Sequence, residues 1–177
     1  KMIQSAKSEE HLDMAMFYLS ERNIIEALKQ AKQRGVNIRI MLDPNKDAFG
    51  RQKNGIPNRQ VASELNAVGI PIRWCDTHGE QCHSKMLLKY NAQQAELMLG
   101  SANFTARNLK NYNLETDMRV LGSAQAQVFK DAGQYFDAAW SNANGRQITV
   151  DYAKYADESK VKYWLYRFME WSGLSTF

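Results

Sequence analysis

Between residues 12 and 74 the hydrophobic period switches back and forth between strand and helix, and that order constrains the fold more than any other feature. The run "LDMAMFYL" (12–19) is short, rich in Met and aromatic residues, and reads as a buried strand. In "NIIEALKQAKQRG" Asn23, with Glu26 three residues on, forms a capping box. Ile24, Leu28 and Ala31 then recur at helical spacing, and Gly35 offers a C-terminal stop. "VNIRIMLD" (36–43) alternates Val36, Ile38, Ile40 and Leu42, as a strand does. The turn-rich, basic loop "PNKDAFGRQKNGIP" leads to a second capped helix, "NRQVASELNAVG", with Val61, Leu65 and Val68 on one face. A short strand, "IPIRW" (70–74), follows. Strand–helix–strand–helix–strand is the pattern of parallel βαβ units.

After residue 82 the rhythm changes. "SKMLLKY" and "AELMLGS", separated by "NAQQ", read as a hairpin. "NFTARNLKN" is a polar turn or short helix, and "NLETDMRVL" a further strand. "SAQAQVFKDAGQYFDAAWSN" is a long helix with Val128, Ala132, Tyr135 and Ala139 on its inner face. Beyond Gly145 come a weak strand, "QITV", and a terminal helix, "DESKVKYWLYRFMEW". Its apolar stripe of Val161, Trp164, Leu165, Phe168 and Trp171 is of the kind that packs into a core or docks on a parent domain.

The 177 residues suit one domain, or one domain with an appendage. With 44% hydrophobic and 24% charged residues the chain is not of the disordered class. No stretch approaches the roughly 20 apolar residues of a membrane-spanning helix. "KMIQSAKSEE" has no signal-peptide core and lacks an initiator Met, so the chain reads as a processed or excised piece. The net charge is +4. Lys29, Lys32, Arg34, Arg39, Lys46, Arg51, Lys53 and Arg59 face only Asp43 and Asp47 in their window. That excess is compatible with an anionic partner (phosphate, nucleic acid or lipid headgroup) and equally with an ordinary soluble protein.

The residues with chemistry to offer begin at "CDTHGEQCHSK" (75–85). Cys75, His78, Cys82 and His83 all carry zinc-compatible atoms. Their spacing matches no familiar finger or ribbon, and adjacent Cys82 and His83 point to opposite faces of an extended chain, so no metal is expected. The two cysteines could close a disulfide loop in an exported protein, or remain thiols in a reducing compartment. His83 and Lys85, two apart, project from one face of a strand. An imidazole beside an ammonium suits gripping a phosphate, although a surface His–Lys pair explains any lone H-x-K match as well.

Further on, "GSANFT" (100–105) puts Ser101 and Asn103 on a shared face, with neutral donors for phosphate oxygens. Gly100 there permits close backbone approach. "NYNLETD" places Glu115 on the following strand. A carboxylate that accepts from the second ring nitrogen of a histidine fixes its tautomer and raises its basicity.

Together these residues resemble one catalytic domain of the phospholipase D superfamily, whose signature is H-x-K-x4-D, then G-S/G-x-N and a downstream N-x-E. "HSK" supplies His83 and Lys85, "GSAN" supplies Gly100, Ser101 and Asn103, and "NLE" supplies Asn113 and Glu115. The upstream "AMFYLSERNIIEALKQAKQRGVNIRIMLDPN" is similar to the family's approach to its motif, and the likeness runs over about residues 12–142. One position departs: where the motif aspartate belongs stands Tyr90, and in the family that aspartate supports the site's structure. His11 and His78 lack a following x-K, and read as a surface and a loop residue.

The resemblance implies an α/β fold: a mixed, mostly parallel sheet with helices on both faces and a C-terminal helical tail. Residues 1–145 would be the catalytic domain and 146–177 a strand/helix extension. It also implies cleavage or transfer of phospholipid headgroups through a phosphohistidine, without cofactor or metal. His83, Lys85, Asn103 and Glu115 would be catalytic, and Lys85, Ser101 and Asn103 would bind the substrate phosphate. One motif is half a site, so a second H-x-K comes from a homodimer or from another half of a longer protein. The tail "YWLYRFMEWSGLSTF" resembles the C-terminus of two-motif bacterial members, which makes this chain the C-terminal half and His83 a general acid/base. The alternatives are a metal-independent nuclease with the same site, and a non-catalytic half that binds an anionic ligand. An exported (periplasmic or extracellular) or membrane-peripheral location follows from the same reading. "CDTHGEQC" then becomes the loop entering the catalytic strand, with Cys75 and Cys82 as its candidate staple.

Overall fold

The strand that opens the βαβ pattern, β1 (His11–Met16), is buried along all but its first residue, because it lies at the middle of the sheet with helices over both faces. The structure, a computed structural model, describes residues 1–48, 51–110 and 112–172. Phe49 and Gly50 of the basic loop, Asn111, and the tail 173–177 lie outside the described residues, as do the side chains of Asp47, Ala48 and Arg51. After β1 come α1 (Arg22–Gln33), β2 (Asn37–Leu42), a two-stranded ribbon of β3 (Asp47–Ala48) and β4 (Arg51–Gln52), α2 (Asn58–Ala67) and β5 (Ile72–Cys75). The second half supplies β6 (Lys85–Tyr90), β7 (Gln94–Gly100), the single turn α3 (Ala106–Leu109), β8 (Asp117–Ser123) and α4 (Gln127–Ser141). It ends with β9 (Thr149–Asp151) and α5 (Lys160–Ser172).

Seven strands form one mixed sheet in the order β8-β7-β6-β1-β2-β5-β9. Parallel pairing is confined to β1–β2 and β2–β5, where the helices α1 and α2 make the crossovers. The remaining pairs are antiparallel. The expected hairpin forms with Tyr90 opposite Ala95. β9 joins the main sheet beside β5, so the C-terminal segment contributes an edge strand to the same layer.

One core cluster packs Leu12, Met14 and Met16 of β1 against Ile25 and Leu28 of α1, Val61 and Leu65 of α2, and Tyr166 of α5. The other face holds Ala15, Met41, Met86, Leu88 and Leu97 under Phe129, Phe136 and Ala139 of α4. A fully buried side chain of this kind contributes about 1.5–3 kcal/mol, so the two layers supply most of the driving force for folding.

Several local expectations shift. Glu21, not Asn23, caps α1, accepting from the Asn23 backbone N–H. Gly35 takes the left-handed conformation expected just past the helix (φ 86°). α2 has no side-chain cap; Asn58, at its first turn, instead turns inward. The inner face of α4 runs through Phe129, Phe136 and Ala139, while Val128 and Tyr135 are exposed. The larger aromatic surface is buried, and Arg39 lies 4.9 Å from the Phe136 ring centre to complete the layer. α5 is rotated still further: Tyr166 is its buried residue, and the predicted stripe from Val161 to Trp171 faces outward.

Candidate active site

The sequence-predicted residues converge at one edge of the sheet, where β1 and β7 end and β6 begins. Lys85 opens β6 itself, and the others stand on the loops at the strand ends. His83 precedes β6, Ser101 and Asn103 follow β7, and Glu115 lies two residues before β8. The loops after β1 and β7 are zipped together: Phe104 N donates to Tyr18 O, and Ser20 N and Glu21 N both donate to Phe104 O. Asn103 Oδ1 accepts from the Tyr18 backbone N–H at 3.2 Å, which orients its carboxamide toward the end of β1.

His83 and Lys85 share a side, as their spacing requires. Lys85 Nζ lies 3.1 Å from His83 Nδ1 and 3.3 Å from Nε2, and donates to the His83 carbonyl at 3.0 Å. Phe17, the first residue past β1, packs on both: its ring is 4.6 Å from the imidazole centre and 5.2 Å from the ammonium. Burial pushes the Lys85 ammonium below its ordinary pKa, against the pull of Glu115. Burial first, and then the Lys85 charge, lower the His83 imidazole below 6.5. The site therefore favours a neutral imidazole beside a partly desolvated cation, whose charge a nearby anion would stabilise.

Glu115 is the point where the expectation fails. Its carboxylate accepts from Ser101 Oγ at 2.5 Å and from Asn108 Nδ2, and among the described residues no hydrogen bond joins it to His83. Thr116 N donates back to Ser101 Oγ at 3.0 Å, and Ala102 N donates to Asp117 Oδ1 at 3.2 Å. These bonds sew the turn after β7 to the start of β8. Gly100 is required there, since a Cβ would meet Thr116 O at 2.3 Å and Asp117 Cα at 2.6 Å. Asn113 accepts from Arg107 Nε at 3.3 Å.

Cys75 and Cys82 are disulfide-bonded, with Cα atoms 6.1 Å apart. The bond ties the end of β5 to the residue before His83. Asp43, at the end of β2, holds the same residue by accepting from the Cys82 backbone N–H at 2.8 Å. Burial raises the Asp43 carboxyl, and the donors from Cys82 and Asn45 oppose that rise. Asn58 completes this buried network: Nδ2 donates to Phe17 O (2.7 Å) and Asp43 O (2.8 Å), and Oδ1 accepts from Leu19 N (2.9 Å). Phe17, Asp43 and Asn58 were not picked out as site residues from the sequence. The signals available were a carboxylate closing the strand in "MLDPN" and an asparagine opening the helix in "NRQV".

Tyr90, in the motif's aspartate position, lies within the sheet away from this edge. It stacks on His11 at 4.8 Å, and burial and the neighbouring Asp13 push its phenol up to about 12. Asp13 is itself paired bidentately with Arg39 (2.8 and 2.7 Å). A buried carboxylate thus remains beside Tyr90, supplied by β1. His78 is exposed and lies 3.3 Å from Asp76. Among the described residues no group of three or more His, Cys, Asp or Glu is placed to hold a metal ion.

Among the described residues, most cations of the basic window have partners within the domain. Lys29 pairs with Glu64 and Glu26, Arg39 with Asp13 and Asp137, and Arg34 donates to the carbonyls of Ile3 and Ala6. Arg59 donates to Pro44 O. Lys53, which donates to Tyr18 Oη, and Lys46, which donates to Thr77 O, are the two that reach toward the site's side of the sheet.

Comparison with known proteins places the fold. The crystal structure of Nuc, a phospholipase D family member from Salmonella typhimurium, superposes with a TM-score of 0.63 at 21% identity, covering 85% of each chain. NucT from Helicobacter pylori superposes at 0.53 with 18% identity, over 77% of this chain and 80% of that one. Phosphatidylserine synthase from Haemophilus influenzae gives 0.60 at 10% identity, over 98% of this chain and 41% of that one. At such identities these likenesses establish the fold. No curated protein sequence matches the chain. The sequence profile of the family described as "Cardiolipin synthase, PLD-like domain" matches residues 1–140, and the chain belongs to that family of the phospholipase D superfamily.

Proposed function

We propose that the chain is a phospholipid phosphodiesterase or phosphatidyltransferase half-site, completed by a second H-x-K from another copy or another half. The observation that carries this reading is the Lys85 ammonium within 3.1 Å of the His83 imidazole, beside the loop that bears Ser101 and Asn103. His83, neutral at neutral pH, has a lone pair to offer phosphorus or a proton site for the departing oxygen. In the first step one histidine of the pair bonds to phosphorus as the bond to the leaving oxygen breaks, and the other histidine protonates that oxygen. In the second step water or an alcohol, deprotonated by that other histidine, attacks phosphorus and frees the first. Lys85, Asn103 and Ser101 stabilise the charge on the phosphoryl oxygens.

Glu115 acts as a positioning residue on Ser101 in this state. The lowered pKa of His83 favours the nucleophile or the base side of the expected general acid/base role over the acid side. Tyr112 and Leu114, exposed just before Glu115 in the chain, offer apolar surface, which favours lipid over nucleic acid. The committed partners of the basic window weigh the same way. Trapping tests the reading: protein incubated with phospholipid labelled at phosphorus should retain an acid-labile, alkali-stable label on histidine. His83→Ala should abolish label and turnover together; turnover that survives this substitution would sink the role of His83.

A further inference from the structure

α5 shows solvent the side that a core helix would hide. Val161, Trp164, Leu165, Phe168 and Trp171 lie along one stripe, and Trp171 is 83% and Val161 79% exposed. The opposite side anchors the helix. Tyr166 is buried and its hydroxyl accepts from Arg22 at 2.9 Å, while Glu170 accepts from Ser20 Oγ at 2.7 Å. Tyr163 and Met169 pack on the core from the same side. Glu170 is on the anchoring side, held by Ser20, and the stripe itself carries no acidic side chain. At 100° per residue, Lys160 and Arg167 border the stripe on one side and Lys162 on the other. Asp157 and Glu158 precede the first turn, and Lys162 is shared with Asp157 at 2.6 Å.

The stripe leads to the site. Ser20, which holds Glu170, donates its backbone N–H to Phe104, next to Asn103. At the C-terminal end of the helix, Trp171 lines a cleft of about 410 Å³ with Ala106, Arg107, Lys110 and Tyr112. Just beyond is Leu114, wholly exposed and adjacent to Glu115. An aromatic and aliphatic surface with a basic border therefore runs from α5 to the rim of the phosphate site.

We propose that this face seats the domain on the surface of an anionic phospholipid bilayer. A helix with Trp, Phe and Leu on one side and Lys or Arg at its borders lies in the interface plane, its apolar face sunk roughly 5–10 Å among headgroups and upper acyl chains. Indole rings prefer that depth, where one end is apolar and the other wet. Charge complementarity selects the occupant. Two copies meeting stripe to stripe would set the Lys160 and Arg167 borders of one against the cationic border of the other, whereas anionic headgroups neutralise both; Lys162 is already paired with Asp157. The proposal rests on the phospholipid reading of the site, and it places headgroup phosphodiesters at the mouth between Leu114 and Trp171.

The test uses the full chain with vesicles of phosphatidylcholine alone and of phosphatidylcholine mixed with phosphatidylglycerol, read by co-sedimentation and tryptophan fluorescence. Binding to the mixed vesicles with a blue shift is expected. It should weaken about tenfold or more in Trp164→Ser/Phe168→Ser/Trp171→Ser, and become less salt-sensitive in Lys160→Gln/Arg167→Gln. These side chains are outside the core, and an unchanged melting curve verifies the fold. Equal binding by wild type and the triple variant, or none by wild type, overturns the proposal. So does self-association of the wild type that the triple variant loses without any vesicle binding, which would assign the face to a second copy. His83→Ala separates the two claims. It should bind vesicles unchanged, whereas turnover of detergent-dispersed phospholipid without vesicle binding would sink this inference and leave the catalytic one standing.

Discussion

Lys85 is buried at 8% exposure with an imidazole, an aromatic ring and a carbonyl around its ammonium, an environment that favours loss of its proton and of the proton on His83. For a histidine whose pKa is lowered, the neutral form persists to lower pH, so the acid limb of any step needing neutral His83 moves down. NMR titration of His83 should give a midpoint below 6.5. Lys85→Met keeps much of the burial and removes the charge, so the midpoint should rise toward the ordinary value; a fall would show that the charge is not acting on the imidazole. Gly100 is constrained by a backbone collision. Gly100→Ala should cost about 2 kcal/mol or more in urea unfolding, because Thr116 O and Asp117 Cα belong to a paired strand and cannot yield as a side chain would.

At the scale of elements, the disulfide joins β5 to the residue before His83 while Asp43 grips that residue from β2. Cys75→Ser/Cys82→Ser should lower stability by roughly 2.5 kcal/mol, the loop-closure value for so short a ring. Turnover should fall more than stability explains, since the loop that leads into His83 loses its covalent tie to β5 and keeps the Asp43 hydrogen bond to Cys82. Chemical denaturation with and without reductant measures the first effect, and turnover at a temperature well below the transition the second. Much of this level was legible in the chain. The strands before residue 75, the hairpin of β6 and β7, and the helix stop at Gly35 follow from period and turn chemistry, which are local. The faces of α4 and α5 did not follow. In both helices apolar residues occupy more than one side, so the wheel leaves the choice of buried side to whatever packs against it. Arg39 and the sheet select Phe129 and Phe136 in α4; Arg22 and Ser20 select Tyr166 and Glu170 in α5.

At the scale of the whole molecule, a phosphohistidine mechanism needs two histidines and the signature provides one. If the second is donated by another copy, mixing wild type with excess His83→Ala chain should depress turnover below that of the wild type alone, because mixed pairs contain a single histidine. If instead it is donated by a different half, the variant should only dilute. Turnover measured across mixing ratios decides between a quadratic and a linear loss.

The chain by itself determined the order of strands and helices, the position of the H-x-K pair at a strand start, and the set Ser101, Asn103 and Glu115 downstream, because each of these is a short-range pattern. Only the tertiary structure decided what those groups do to one another. Glu115 turns to Ser101 and Asn108, Asp13 brings a carboxylate to Tyr90 from another strand, and Lys29 and Arg39 of the cationic window are taken up by internal partners. Each of these pairings joins residues distant in sequence or chooses among several equally reachable partners. Burial and geometry settle such choices, and neither is written in local spacing.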